Sequence, residues 1–236
     1  MKLPFLLLLI AYTAWAQEMI EKVVPITQEP SHHLILQNKY VRVFNVEVAP
    51  HFSTRIHRHD YDYVFVTLGD SDVSNERVHA DPVELKLKDG ETHFTRGGFA
   101  HKAVNLADTP FHNITIEFVE PGLTSPAAEK GQGAAISAHP AETLSADSQV
   151  FGKIKIREGT FLNGEVSTCA ADHVTGPQLL VPVSEFFLRS VSRGNQLHQP
   201  GEAIWLNAGE CATITSRGNY PARFVILDFP EQGTAK

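Results

Sequence analysis

Short apolar stretches that end at turn residues occur along the whole chain. The segment 83–87 alternates apolar and charged residues and precedes the turn dipeptide Asp89-Gly90, and the compact apolar segment 63–68 ends at Gly69. Alternation with a period of two is typical of a strand with one buried face, and no convincing amphipathic helix lies between such segments. The pattern therefore predicts an all-β fold, an antiparallel sandwich or barrel.

The character of the chain changes over residues 121–147. Alanine, glycine, serine and proline crowd this stretch and aromatic residues vanish, which is typical of a linker. Strand-like segments occur in roughly equal number in residues 17–120 and in residues 148–236. The simplest interpretation is two similar β domains joined by a linker.

The first sixteen residues have the three parts of a secretory signal peptide. Lys2 supplies a basic start, residues 3–12 form an apolar run, and Ala14-Trp15-Ala16 is a small-residue cleavage sequence. The run is too short for a permanent membrane span, which needs about 20 residues; a membrane-anchoring or core helix is the alternative. We expect cleavage near Ala16 and a secreted or periplasmic protein that is not attached to a membrane afterwards.

The charge balance excludes some classes of partner. Of the 20 lysine and arginine residues Lys2 is lost on cleavage, so the mature chain carries 19 against 27 acidic residues, a net charge of −8 with histidine neutral. Such a chain is not expected to bind nucleic acid or an anionic membrane surface. The two cysteines, Cys169 and Cys211, could pair in an oxidising compartment or remain separate buried thiols.

Three histidines stand in an arrangement that suits a metal ion. His57 and His59 are two residues apart, so on an extended strand their side chains face the same way and can meet one ion at about 2.0–2.1 Å. His101 lies beyond the turn at residues 89–90, where a barrel that folds back could bring it opposite the pair. Because twelve histidines occur in the chain, the pair alone is weak evidence, and the surrounding residues decide the interpretation.

The residues around His101 resemble the second sequence motif of the cupin superfamily. That motif, G-x5-P-x-G-x2-H-x3-N, is matched in register by Gly90, Gly98, His101 and Asn105. Arg96 stands where the family has its proline.

The first cupin motif, G-x5-H-x-H-x3,4-E-x6-G, is matched less completely. His57, His59 and Gly69 fall in register, and His51 stands where the opening glycine would be. Six residues separate Asp62 from Gly69, which places Asp62 at the position of the family's glutamate, but only two residues separate it from His59. Asp62 could ligate the metal, reach it through water, orient a histidine, or pair with Arg55 or Arg58.

The second half resembles a cupin barrel that has lost its ligands. Gly201 and Gly209 keep the frame of the second motif, but Asn207 replaces the proline and Ala212 replaces the histidine. The strand-like region 179–191 has no His-x-His. One metal site per chain follows, and the second barrel is expected to bury apolar surface against the first barrel or against another subunit of a homodimer.

The resemblance implies two small antiparallel jelly-roll barrels with one divalent ion, Fe, Mn, Ni or Zn, in the mouth of the first. The implied ligands are His57, His59, His101 and Asp62. It also implies a metal-dependent enzyme, of the dioxygenase, isomerase or lyase type, that acts on a small organic molecule, with Asp62 or His93 as the group that moves a proton. Because one fold hosts many chemistries, two alternatives stay open: a non-catalytic protein that binds or senses a small ligand through the metal, and an ion that only stabilises the barrel.

Overall fold

A computed structural model describes residues 22–124, 149–162, 164–169 and 176–231. The expected signal peptide and most of the expected linker lie outside these residues. The described part consists of strands and one short 3-10 helix, Ile26–Gln28, and contains no helix long and apolar enough to cross a membrane. The all-β prediction is confirmed.

The first half forms a barrel of two five-stranded sheets. One sheet has the strand order β1-β4-β9-β6-β7 and the other β2-β3-β10-β5-β8. All of these pairings are antiparallel except that of β1 with β4. The strands are β1 (Val24–Pro25), β2 (His32–Gln37), β3 (Val41–Val48), β4 (His57–His59), β5 (Tyr63–Leu68), β6 (Ser71–Arg77), β7 (Val83–Leu87), β8 (Thr92–Thr95), β9 (Phe99–Asn105) and β10 (Phe111–Phe118).

The second half repeats this arrangement with nine strands in its described residues. A five-stranded sheet has the order β11-β12-β19-β14-β17, and a four-stranded sheet has the order β13-β18-β15-β16. The strands are β11 (Gln149–Phe151), β12 (Ile154–Phe161), β13 (Glu165–Ser167), β14 (Gln178–Pro182), β15 (Phe186–Ser190), β16 (Gly194–His198), β17 (Ile204–Leu206), β18 (Ala212–Ser216) and β19 (Ala222–Asp228). A disulfide joins Cys169, which follows β13, to Cys211, which precedes β18.

One apolar layer is shared by the two barrels. In it the sheet of β3, β5 and β10 packs against the sheet of β12, β14 and β19. We call this the shared apolar layer; among its fully buried members are Val41, Val66, Ile116, Ile154, Leu179 and Leu227. Burial of apolar area is the main stabilising force available to such sheets, so the contact ties the stability of each barrel to the other.

The strand β10 separates the shared apolar layer from the interior of the first barrel. Its side chains alternate between the two sides, as in any strand. Ile114 and Ile116 belong to the shared apolar layer. Asn113 and Thr115 line a cavity inside the first barrel instead. The interior of the first barrel is therefore partly polar, and this is where the candidate site lies.

Candidate metal site

The histidines of β4 point into the first barrel, as their spacing predicts. His57 and His59 are 1% and 2% exposed, whereas Arg58 between them is exposed on the outside. Their Nε2 atoms are 3.2 Å apart. This is the separation expected of two side chains on one face of a strand that converge on a single point.

The pairing of β4 with β9 brings His101 to the same point. His101 is the direct cross-strand partner of His57, and the centroid of its ring lies 4.5 Å from that of His57 and 5.1 Å from that of His59. Its Nδ1 is 2.7 Å from Oδ1 of Asn75. Its Nε2 is buried and has no hydrogen-bond partner in the described structure.

A fourth histidine, which the sequence motifs do not include, completes the group. His32 lies on β2 of the opposite sheet, and its ring centroid is 4.5 Å from that of His57. The nearest ligand atoms of His32, His57 and His59 all lie within 4.8 Å of one another. We call His32, His57, His59 and His101 the histidine cluster.

A buried acidic side chain, that of Glu29, contacts the imidazole ring of His32. Oε2 of Glu29 lies 2.6 Å from Nδ1 of His32, and the two side chains are 2% and 5% exposed. The same carboxylate accepts hydrogen bonds from the backbone N–H groups of Ser31 and Arg55. Burial raises the pKa of Glu29, but its bond to His32 and these backbone bonds outweigh it and lower the pKa below the ordinary 4.5. Glu29 is therefore an anion that fixes the ring of His32.

The other three imidazoles also turn Nδ1 outward to an oxygen atom. Nδ1 of His57 is 2.9 Å from the carbonyl oxygen of Arg55, which can only accept, so this Nδ1 carries the hydrogen. Nδ1 of His59 lies 3.3 Å from Oε1 of Glu117, and Nδ1 of His101 faces Asn75 as described above. Nε2 of His57 therefore carries a lone pair, which faces Nε2 of His59 across 3.2 Å and is available to a cation bound between the rings.

The protonation states suit a metal. Burial, followed by the nearby His32, lowers the pKa of His57 to about 4. Burial and the neighbouring histidines also hold the pKa values of His59 and His101 well below 6.5. Metal-ligating imidazoles must be neutral, and these three are neutral at pH 7 before any ion binds. The residues present therefore fit a divalent cation.

Behind His59 lies a buried carboxyl group on β10. Glu117 pairs with Arg42 at 2.8 Å through Oε2, while Oε1 faces His59. Burial raises the pKa of Glu117 to about 7, although Arg42 opposes the shift. Tyr63, the cross-strand partner of Glu117, stacks on the His59 ring with centroids 4.1 Å apart.

The structure does not bring Asp62 to the histidine cluster. Its carboxylate accepts hydrogen bonds from Nη1 of Arg96 at 2.6 Å and from the backbone N–H of Gly97 at 2.9 Å. Partial burial raises its pKa, but the bonds from Gly97, Thr124 and Arg96 outweigh this and lower the pKa below 3.8. The aspartate is held as an anion by an arginine, and Asp62 is not among the residues that line the cavity.

A cavity of about 650 Å³ opens beside the histidine cluster. His93, the other candidate for proton transfer, lines it and stacks on Phe65 with ring centroids 4.8 Å apart. Nε2 of His93 lies 3.3 Å from Oε1 of Glu91; burial lowers the pKa of His93, although Glu91 opposes the shift. The remaining wall is mixed, with apolar Val73, Leu85 and Phe111 and polar Asn75, Thr95 and Asn113.

Comparison with solved structures assigns the fold. AerE from Microcystis aeruginosa superposes with a TM-score of 0.61 at 11% identity, over 86% of this chain and 99% of that one. A cupin 2 conserved barrel domain protein from Leptotrichia buccalis gives 0.54 at 9% identity, over 84% and 88% of the two chains. Salicylate 1,2-dioxygenase from Pseudoaminobacter salicylatoxidans, solved as adducts with gentisate, gives 0.54 at 12% identity, over 80% and 68%.

No protein-family profile matches the sequence, and no curated protein matches it significantly. At these identities the structural likeness establishes the fold alone. The chain has the cupin fold, as its two motifs indicate.

Proposed function

We propose that this cupin-fold chain is an exported metal-binding protein and that it acts as a metal-dependent enzyme on a small organic molecule. The observation that carries the proposal is the common orientation of the histidine cluster. Nδ1 of each ring faces an oxygen atom, and Nε2 of His101 is buried without a partner. Four buried imidazoles arranged in this way have no evident purpose in a barrel interior other than to hold a cation.

The number of ligands bears on which metal suits catalysis. Four imidazoles would complete the tetrahedral shell of zinc and leave it no position for a substrate. A six-coordinate Fe(II), Mn(II) or Ni(II) ion would keep positions for exogenous ligands and would supply Lewis acidity or dioxygen chemistry there. An enzymatic role therefore favours one of these three metals over zinc.

The cavity favours an enzyme or a ligand-binding protein over an ion that only stabilises the barrel. A space of about 650 Å³ beside the cluster lies within the usual range for small-molecule sites, roughly 300–1,000 Å³. His93 lines this space and, because burial lowers its pKa, can accept a proton from a bound molecule at neutral pH. A dioxygenase among the proteins of the same fold adds support for the enzyme.

The proposal that the protein is exported rests on the sequence of residues 1–16 and on the disulfide. Disulfides persist in oxidising compartments and are rare in the reducing cytosol, so the bond between Cys169 and Cys211 supports a secreted or periplasmic location. N-terminal sequencing of the protein from a cell that exports it tests this directly. A mature chain that starts at Gln17 is expected, and an intact Met1 would contradict it.

Elemental analysis tests the metal, and turnover separates an enzyme from a binding protein. The protein purified from cells supplied with iron, manganese, nickel and zinc is expected to contain one ion per chain, and His101→Ala is expected to lose it. Dioxygen uptake or substrate loss in the presence of small organic acids and phenols is then measured. A wild-type protein without stoichiometric metal would refute the proposal, whereas metal without turnover over this range would favour the non-catalytic alternative.

A further inference from the structure

Arg77 lies beside the histidine cluster without being part of it. It is the last residue of β6 and lines the cavity. In the antiparallel pairing of β6 with β9 it is directly opposite His101. Directly paired residues project to the same side of a sheet, so the guanidinium and the imidazole of His101 belong to the same wall of the cavity.

An aromatic ring fixes the guanidinium in this wall. Cζ of Arg77 lies 4.0 Å from the centroid of the Phe99 ring, and that ring lies 5.3 Å from the ring of His101. Stacking on an aromatic face orients the guanidinium plane and leaves its N–H groups free at the edge. Those groups match the two oxygens of a carboxylate.

Arg77 is set apart from most arginines of the chain by its lack of an acidic partner. Eight others have a carboxylate oxygen within 4.0 Å in the described residues. Arg77 forms no such pair there, although Asp81 lines the same cavity. A cation in the wall of a cavity that forms no ion pair within the described residues is available to an anionic ligand.

The charge of the site favours the same class of ligand. The imidazoles are neutral ligands, so a bound divalent ion would keep its positive charge and add to that of Arg77. Phe65, Val73 and Leu85 also line the cavity, and their side chains give it apolar surface. The walls together suit a molecule with one anionic end and an apolar body.

We propose that the cavity binds a small organic carboxylate, whose carboxylate group pairs with Arg77 and whose apolar part lies against Phe65 and Val73. The inference deepens the proposed function and rests on it only in identifying this carboxylate as the substrate. The pairing with Arg77 can be tested separately, because it predicts which ligands bind whether or not they are converted.

Calorimetry on the purified protein with its metal tests the pairing. The probes are benzoate and pyruvate, each compared with its neutral amide, together with inorganic phosphate. In the wild type the carboxylates are expected to bind more tightly than the amides and than phosphate. Arg77→Gln is expected to weaken carboxylate binding roughly tenfold or more, since a charge-assisted bidentate contact is lost, and to leave amide binding unchanged.

Arg58→Gln is the matched control. Arg58 lies between two members of the histidine cluster but points outward, where it pairs with Asp60. Removal of this outward-facing charge is expected to change carboxylate affinity less than threefold, about the effect of a screened surface charge. Elemental analysis of both variants is expected to show unchanged metal, which separates loss of ligand binding from loss of the metal site.

Three results would overturn the inference. They are carboxylates that bind no more tightly than their amides, phosphate that binds as tightly as benzoate, and equal affinities in the wild type and Arg77→Gln. Each can occur in a protein that holds its metal, so each is distinct from failure of the proposed function. If the wild type contains no metal, the comparison of Arg77→Gln with Arg58→Gln still decides whether Arg77 selects carboxylates.

Discussion

Arg96 and Asp62 form one ion pair, with Nη1 of the arginine 2.6 Å from Oδ2 of the aspartate. Arg96 stands where the second cupin motif has proline, and Asp62 stands, one residue too close to His59, where the first motif has glutamate. The two departures from the family pattern are therefore the two ends of a single interaction. Asp62 thus secures the loop of Arg96 and Gly97, whereas the residue that faces His57 from the opposite sheet is His32.

Asp62→Asn is expected to retain the metal and to lose stability. The asparagine cannot replace the charge that accepts from Arg96 and Gly97, and loss of such a partly exposed charge-assisted contact costs about 1–2 kcal/mol. The measurements are elemental analysis and urea unfolding, with the double variant Asp62→Asn/Arg96→Ala to isolate the pairwise coupling. Metal loss in Asp62→Asn without loss of stability would return Asp62 to the ligand set.

The contribution of Asp62 to stability is expected to depend on pH. Its pKa in the folded protein is lower than the ordinary 3.8, so folding favours the ionised form. The stabilisation is then complete above pH 3.8 and is lost as the pH falls through the lower, folded-state pKa. The difference in urea midpoint between the wild type and Asp62→Asn should be constant from pH 7 to 5 and should shrink below pH 3.8. A difference that grows on acidification would contradict the assigned direction.

The strands and three of the histidines could be predicted because their signals are local. The apolar run 63–68 coincides with β5, and the alternating segment 83–87 coincides with β7. His57 and His59 share a face through a period of two, which a sequence displays directly. His101 follows from the motif register and from the pairing of β4 with β9.

His32 could not be predicted because its position depends on contacts between distant segments. It reaches the cluster only because β2 lies in the opposite sheet and that sheet closes over β4 to form the barrel. Nothing in the dipeptide His32-His33 shows which ring points inward. The one available signal was Glu29, three residues earlier, but an acid at that spacing is common on surfaces. The position of Arg77 opposite His101 could not be predicted for the same reason, since it depends on the register of β6 with β9.

His32→Ala is expected to weaken metal binding, with His33→Ala as its control. His32 offers a ligand atom within 4.8 Å of those of His57 and His59, whereas His33 is exposed on the other face of β2. Loss of one imidazole should lower the affinity for the metal at least about tenfold. Loss of a residue that only supports a ligand already lowers metal affinity by about that factor. Competition with a chelator measures it. Equal metal affinity in the two alanine variants would remove His32 from the site.

Leu179→Ala is expected to destabilise both barrels together. Leu179 is fully buried in the shared apolar layer, so its truncation should cost about 2–5 kcal/mol and should leave a single cooperative unfolding transition. Val191→Ala, on a fully exposed side chain of the same half, is the control and should change stability by less than about 0.5 kcal/mol. Urea unfolding is followed by far-ultraviolet circular dichroism, and thermal unfolding is followed by calorimetry. Two separate transitions, with only the later half of the chain affected, would show that the barrels fold independently.

Reduction of the disulfide is expected to destabilise the second barrel without removing the metal. Cys169 and Cys211 are 42 residues apart in the chain, and closure of a loop of this length in the unfolded state is worth about 2–4 kcal/mol. The double variant Cys169→Ser/Cys211→Ser should therefore unfold at a lower urea concentration than the wild type, and a reducing agent should lower the midpoint of the wild type alone. Metal content should be unchanged in both, because the histidine cluster lies in the first barrel. A midpoint that is insensitive to the reducing agent, together with two thiols that react with a thiol reagent in the native wild type, would show that the cysteines do not pair.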